Sequence, residues 1–522
     1  MNRRIPFPLL LLLPIVVITA WHSIGFHHLD EYAMVTEFAG VKLGLTQAST
    51  LSWEYPTQIR PWLQPGILVV LSRALRAMGA LDPFLWTFAF RLLHGLLGWL
   101  ALFLLWKSLP RIGGSLSGGL RSAWLLGFAF FTPYLLVRPS SELASASFLV
   151  LGAAVLFLAE RRGQNDRGCL YPSWATLFSG ALFGMAFLFR YQTAIVAIGL
   201  GAWLLFHAQH RARHFLLFSA GSLAVAATGT LLDAWGYGSW TCAPWNYLYQ
   251  NLVKGVAASM GVKPFWAYLT LPIRGVYAPV IFLVMAASFL FWFRYPRHPL
   301  TWMMLPFFLM HSAIAHKEPR FVFPMAWFAL ATLALLLDHP AFPASASAPL
   351  RERLAYACSR AAAWTRKRLA SPWMRALVFF NLTGILFFAF SPVRSEISLQ
   401  RYLLHEAQKN GGKFTAYVHG ATPYENIGQG GMFFYRPREL HLIPIASPAD
   451  FLLRSADARE PRYLLDDGHL RPAGRNEAER QLAARLVPVW RLFPEWIDRV
   501  NFGSWVDRTR HWTVWRLDPS TP

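Results

Sequence analysis

His27-His28-Leu29-Asp30-Glu31-Tyr32 follows directly on an apolar run from Ile5 to Trp21. Two adjacent carboxylates at the edge of a membrane are costly to place there and easy to avoid. One reading makes Asp30 a polar N-cap that opens an interfacial helix running through Val41. The other makes the acidic pair part of a site. What favours the site is that several polar clusters, far apart in sequence, fall on one side of the membrane once the apolar runs are counted.

The chain has 522 residues, 55% apolar, 16% aromatic and 15% charged, with a net charge of +22. A soluble chain carries about a quarter charged residues, so the long uncharged runs read as transmembrane helices of ~20 residues. The run from Leu9 to Ala20, behind Asn2-Arg3-Arg4, has the layout of a signal peptide. Bulky Trp21 and His22 stand where cleavage needs small residues, so it reads as an uncleaved anchor. Cys169, Cys242 and Cys358 are too few and too scattered for a disulfide framework. His207, His210 and His214 cluster between basic residues at a turn, where solvation explains them better than a metal. No P-loop or glycine-rich phosphate fingerprint occurs, and no nucleic-acid partner is expected.

Further apolar runs cover Phe84–Trp106, Leu120–Val137, Ser141–Ala159, Trp174–Phe189, Thr193–Phe206, Phe215–Leu232, Leu269–Phe293, Leu300–Ala315, Phe321–Leu337 and Trp373–Phe390. With the first run they make about eleven spans. Basic residues set the orientation. If Arg3 and Arg4 are cytoplasmic, that side also receives Lys107, Arg111 and Arg121, then Arg161, Arg162 and Arg167, then Arg211 and Arg213, then Arg294 and Arg297. A last basic loop, Arg351 to Arg368, joins them behind a flexible linker from Pro340 to Pro349. The opposite face receives His27–Pro83, Arg138–Glu142, Phe189–Gln192, Asp233–Trp266 and His316–Phe321. Amphipathic Gly66 to Met78 is expected to lie along the surface.

After Ser391 charge rises and apolar runs vanish, as in a soluble domain of about 130 residues. Alternation in Phe414–Val418 and Met432–Tyr435 predicts strands there. Trp505, Trp512 and Trp515 are expected to pack a core or rest on the membrane. The fold class is therefore an α-helical multi-pass membrane protein, residues 1–390, with a C-terminal soluble mixed α/β domain, residues 391–522, on the outer face.

That face holds the carboxylates Asp30, Glu31, Glu54, Glu142, Asp233 and Glu318, and the cations Arg60, Arg138, Arg190, Lys317 and Arg320. A carboxylate can take a proton from an attacking hydroxyl. Arginine can stabilise a leaving phosphate through a bidentate fork. Together, at a membrane surface, they fit group transfer from a lipid phosphate. A structural reading stands beside each: His316–Arg320 as a tight turn whose charges pair, Arg138 and Arg190 as snorkelling side chains, Asn246 and Asn251 as loop braces.

His316-Lys317-Glu318-Pro319-Arg320-Phe321 resembles the His-Lys-Glu-x-Arg-Phe signature of the α-mannosyltransferases of the GPI-anchor and dolichol pathways, glycosyltransferase family 22, with a GT-C fold. His28-Leu29-Asp30-Glu31 resembles that family's His-Pro-Asp-Glu, with Leu29 in place of proline. Ser52-Trp53-Glu54-Tyr55 with Ile59-Arg60 is similar to its Thr-Trp-Glu-Tyr and Ile-Arg. Arg190-Tyr191-Gln192, Asp233 with Tyr237-Gly238, and Asn246 to Asn251 follow in the expected order.

The resemblance implies a polyprenyl-phosphate sugar donor, with mannose as the sugar, a glycan or glycolipid acceptor, and inverting displacement with no cofactor and no obligatory metal. Asp30 is then the base, with Glu31 orienting it or sharing the role. His316, Lys317, Arg320 and Arg190 hold the donor phosphate, while Glu54, Arg60, Glu318 and Asp233 bind substrate. On this view Lys317 and Arg320 should be solvent-reachable. A transferase of another sugar on the same fold and a non-enzymatic transporter of lipid-linked sugars stay open as readings. A bacterial inner membrane with a periplasmic site is expected, with the endoplasmic reticulum membrane and a lumenal site as the alternative.

Overall fold

The computed structural model describes residues 5–113, 119–162, 169–271, 278–338, 372–411, 414–426, 430–438, 440–447, 450–451, 462–468, 485–494, 496 and 511–517. The linker 340–349, the basic loop 351–368 and Trp505 lie outside them. Helices stand at the predicted apolar runs. Ser141–Ala159 coincides with its run, and Phe7–His22, Ser173–Phe189, Ala194–His207, Arg211–Tyr237, Pro299–Ala313 and Pro372–Phe390 lie close to theirs.

The count of about eleven spans is not matched by length. Among the described residues, 4 helices are long and apolar enough to cross a membrane: Pro83–Gly113, Ser141–Ala159, Arg211–Tyr237 and Pro319–Leu337. The count becomes 5 if Ala278–Arg294 and Pro299–Ala313, bent by 117°, are one span. Other apolar helices are short; Phe7–His22 has 16 residues, about 24 Å of rise against a hydrocarbon core of about 30 Å. The predicted run Leu120–Val137 is two helices, Leu120–Phe128 and Thr132–Val137. Pro133 opens the second. Asn381 repairs the break: its Oδ1 accepts from the Phe130 amide at 2.8 Å and its Nδ2 donates to the Phe128 carbonyl at 2.5 Å. Backbone groups freed at a break in lipid need such partners.

The chain divides into two compact units, one of Met1–Ser23, Glu54–Met78 and Trp86–Ser391, the other of Ile24–Trp53, Gly79–Leu85 and Pro392–Pro522. In the first, Ser173–Phe189 and Arg211–Tyr237 pack backbone against backbone. A Cβ on Gly180 would meet the Phe218 carbonyl oxygen at 2.1 Å, and one on Gly221 would meet that of Leu177 at 2.2 Å. Small residues one turn apart allow this approach between apolar helices. Ser222 adds a hydrogen bond from its hydroxyl to the Gly180 carbonyl at 2.9 Å. Away from that seam Leu216, Leu223 and Leu231 are exposed, as a lipid-facing stripe should be.

The second unit contains a 5-stranded sheet of β1 (Phe414–His419), β2 (Leu440–Ile445), β3 (Tyr463–Asp466), β4 (Leu486–Arg491) and β5 (Thr513–Leu517), in the order β2-β1-β3-β5-β4. β1 runs parallel to β2 and β3; β5 is antiparallel to β3 and β4. Ala416 and Val418 face Leu399, Leu403 and Ala407 of the helix Ser395–Lys409, with Trp512 in the same core. Tyr417 and Trp515 face the other way, with Phe451. The period of two puts alternate residues on opposite faces. Met432–Tyr435 is not a strand. Its amides go elsewhere: Met432 donates to the Tyr424 carbonyl at 2.8 Å, and Phe433 and Phe434 donate to Glu37 Oε1 at 2.7 and 3.0 Å.

Candidate active site

In the first unit Glu142 lies at the start of Ser141–Ala159, behind the N-cap Ser140, whose side chain accepts from the Leu143 amide at 3.3 Å. A carboxylate suits that end of a helix. Arg190 follows the last residue of Ser173–Phe189, and Arg320 is the second residue of the tight helical turn Pro319–Met325. Glu142 Oε1 accepts from Arg190 at 2.9 Å and from Arg320 Nη1 at 3.3 Å. All three are buried. Both guanidinium carbons stand 5.2 Å from the Phe321 ring centre.

Glu318 completes the group. Its Oε2 accepts from Arg320 Nε at 2.6 Å, and its Oε1 lies 2.9 Å from His316 Nε2. The Glu318 side chain is 22% exposed, against 2% for Glu142. His316 Nδ1 lies 3.2 Å from the Gly261 carbonyl.

Lys317 departs from the expectation that it is solvent-reachable. It is 1% exposed, and its ammonium donates to the carbonyls of Lys263 and Ile314 at 2.9 and 2.5 Å. Lys263 answers by donating from Nζ to the Lys317 carbonyl at 2.8 Å. Burial, and then the neighbouring Lys263 charge, hold the Lys317 ammonium below the usual lysine range. Lys317 thus joins the segment around Lys263 to the signature loop. Arg320 is also buried, at 7% exposure, but beside the more open Glu318.

A second group in the same unit braces a loop. Arg60 Nη2 donates to Glu54 Oε1 at 2.9 Å, the Arg60 amide donates to Tyr237 Oη at 3.1 Å, and that hydroxyl donates to the Arg60 carbonyl at 2.8 Å. Asp233 accepts from the Trp62 amide at 2.8 Å. Asn246 donates to the Gln58 carbonyl at 3.3 Å. Trp62 is fully buried over Gly236, where a Cβ would fall 2.0 Å from the indole. The structure thus brings Glu54, Arg60 and Asp233 together as the support of residues 54–62.

The acidic pair lies in the second unit, and its members differ. Asp30 has helical φ −57° and ψ −32° and no capping bond from its side chain, so it does not act as the N-cap. Its Oδ1 stands 3.1 Å from His28 Nδ1, with its side chain 14% exposed. Glu31 is buried and accepts from the His27 amide at 3.1 Å. A π-helical turn, Glu31–Thr36, follows, then the helix Glu37–Leu43, which ends at Gly44 with φ +70°.

Glu37 carries weight that its sequence context does not reveal. It is 1% exposed and accepts from Thr46 and from the Phe433 and Phe434 amides. Burial pushes its carboxyl up, partly offset by those hydrogen bonds. Glu142 had a readable signal, an acid behind a serine cap at the head of an apolar helix. Glu37 had none, because two of its partners, the Phe433 and Phe434 amides, lie at the far end of the chain.

The family model described as the Alg9-like mannosyltransferase family matches residues 7–417. Mannosyltransferase APTG1 of Arabidopsis thaliana is 24% identical over 397 residues, 72% of this chain and 67% of that protein. GPI alpha-1,2-mannosyltransferase 3 of Danio rerio is 31% identical over 120 residues, 23% of this chain and 22% of that protein. The crystal structure of ArnT from Cupriavidus metallidurans bound to undecaprenyl phosphate is similar with a TM-score of 0.50, over 98% of both chains at 14% identity. At that identity the likeness is one of fold.

Proposed function

Because the chain belongs to the Alg9-like mannosyltransferase family, and is a membrane glycosyltransferase of GT-C fold, we propose that it moves mannose from a polyprenyl-phosphate donor to a hydroxyl of a glycan or glycolipid. The acceptor oxygen attacks the anomeric carbon, whose bond to the phosphate oxygen breaks with inversion. The acceptor proton passes to Asp30, and polyprenyl phosphate leaves with the bonding electrons. Asp30 takes the base role because its carboxylate is the more open of the pair; Glu31 is committed to the His27 amide.

Arg190 and Arg320, with His316 beside them, meet the charge that grows on the leaving phosphate. Cations of the chain supply this stabilisation without an obligatory metal, and fixed donors do so with little reorganisation. The observation that carries the reading is the gathering of Arg190, His316 and Arg320, from segments far apart in sequence, around Glu142, Glu318 and Phe321. Lys317 supports this group from its two carbonyls, and Glu54, Arg60 and Asp233 support the loop 54–62 for substrate. The reaction lies on the non-cytoplasmic side, the periplasmic face of a bacterial inner membrane; the lumenal face of an endoplasmic reticulum membrane is the alternative.

Membranes containing the protein, offered labelled polyprenyl-phosphate-mannose, GDP-mannose or polyprenyl-phosphate-glucose with a glycolipid acceptor, should transfer label from the first. Transfer from GDP-mannose, with none from the lipid-linked sugar, would overturn the donor assignment. Reporter fusions after Pro372 and after Ser391 should report opposite sides, and a cytoplasmic Ser391 would overturn the assignment of the face.

A further inference from the structure

The geometry points to Glu318 as an internal stand-in for the donor phosphate: in the resting protein its carboxylate occupies the Nε edge of Arg320, the donor's phosphate displaces it, and Glu142 stays bound as the fixed counter-charge. This rests on the assignment of Arg190 and Arg320 to the donor phosphate. Two of the carboxylates that Arg320 meets differ in standing. Glu142 is 2% exposed in its side chain, sits in the first turn of a long helix, and holds Arg190 and Arg320 through one oxygen at 2.9 and 3.3 Å. Glu318 is 22% exposed, precedes the Pro319–Met325 turn, and makes the shorter contact, 2.6 Å to Nε.

Guanidinium recognises phosphate through a planar pair of N–H groups, and the edge that includes Nε is one such fork. Glu318 covers that edge. An anion arriving from solvent meets the more exposed carboxylate first, and repulsion between phosphate and carboxylate favours the exchange. The departing Glu318 has a second partner to retain it, His316 Nε2 at 2.9 Å. The reverse exchange returns Glu318 to Nε once the sugar has gone, and so helps expel polyprenyl phosphate. Glu142, lacking comparable exposure and shared between two arginines, keeps both guanidiniums beside Phe321 throughout.

The two acids therefore carry opposite expectations. Removing a competitor tightens phosphate binding, whereas removing an anchor loosens it. Glu318→Gln, in the purified full chain, should bind polyprenyl phosphate roughly tenfold more tightly than the parent, since a hydrogen bond to a charged group commonly controls that much affinity. It should also lower the KM for donor while slowing turnover, through product that leaves late. Glu142→Gln should weaken binding by a similar factor. Inorganic phosphate, as a second arm, should follow the same order more weakly, which separates headgroup recognition from hold on the lipid chain.

Arg190→Ala and Arg320→Ala serve as the reference. If they weaken binding but Glu318→Gln leaves it unchanged or weaker, the stand-in is refuted and the arginine clamp survives. If the arginine variants bind as the parent does, the clamp fails and the stand-in with it. Should Glu318→Gln not fold, Glu318→Ala removes the same competitor and must shift affinity in the same direction. A merely structural Glu318 would lower stability without tightening product.

Discussion

Two buried carboxylates, one in each unit, are kept by different means. Glu142 has guanidinium partners, Arg190 and Arg320. Glu37 has neutral ones, Thr46 and the Phe433 and Phe434 amides. A buried carboxylate beside cations fixes them in place. One held only by neutral donors pays for its charge through desolvation, and its carboxyl is accordingly raised. The first arrangement fits the clamp proposed above for a charged substrate; the second is a scaffold fastening that joins the helix after the acidic pair to the loop around Phe434.

The sharpest test of this division is the acidic pair that precedes Glu37 in the chain. Asp30→Asn keeps size and a hydrogen-bonding oxygen, yet transfer should fall by ~10²–10⁴ because the amide cannot accept a proton at neutral pH. Protein level in the membrane should stay near that of the parent. Glu31→Gln, run beside it, should cost far less; a loss confined to Glu31 moves the base by one residue. Full transfer in both variants would break the scheme.

Next comes the contrast between neighbours in the signature loop. Arg320→Ala should raise the KM for donor by roughly tenfold to a hundredfold, as loss of a charged hydrogen bond does. Lys317→Ala should instead act on the fold, lowering stability by about 1–3 kcal/mol through the loss of its bonds to the Lys263 and Ile314 carbonyls, with donor KM nearly unchanged. Thermal unfolding in detergent and donor saturation curves separate the two. Equal effects on KM would place Lys317 in the clamp after all.

The smallest effect concerns Glu37 and pH. Because its carboxyl is raised in the folded chain, the folded state holds a proton that the unfolded chain has released. Stability from this group should therefore fall as pH rises from the ordinary carboxylate value through the raised one, and level off above it. Glu37→Gln should remove that slope while shifting stability at neutral pH by only about 1 kcal/mol. Melting curves against pH for the two proteins would show a common slope if the comparison is wrong.

The helices were legible because length and lack of charge suffice to locate an apolar run; Ser141–Ala159 is the clearest case. The break after Phe128 was marked by Pro133, but its repair by Asn381, far along the chain, leaves no local trace. Met432–Tyr435 alternates like a strand yet spends its amides on Glu37. Composition around 316–321 located the charged cluster, whereas the inward turn of Lys317 depends on carbonyls of Lys263 and Ile314 that no spacing encodes. The different settings of Asp30 and Glu31 likewise come from contacts such as the His27 amide on Glu31.

The glycine seam between Ser173–Phe189 and Arg211–Tyr237 works as a length standard. Arg190 stands at the end of one helix and Asp233 near the end of the other, so the offset between the charged cluster around Glu142 and the brace of residues 54–62 is fixed where Gly180 and Gly221 touch the opposing backbones. A single methyl group added at either glycine would push the two rods apart and be felt at their tips, much as a shim at a hinge moves the far edge of a door.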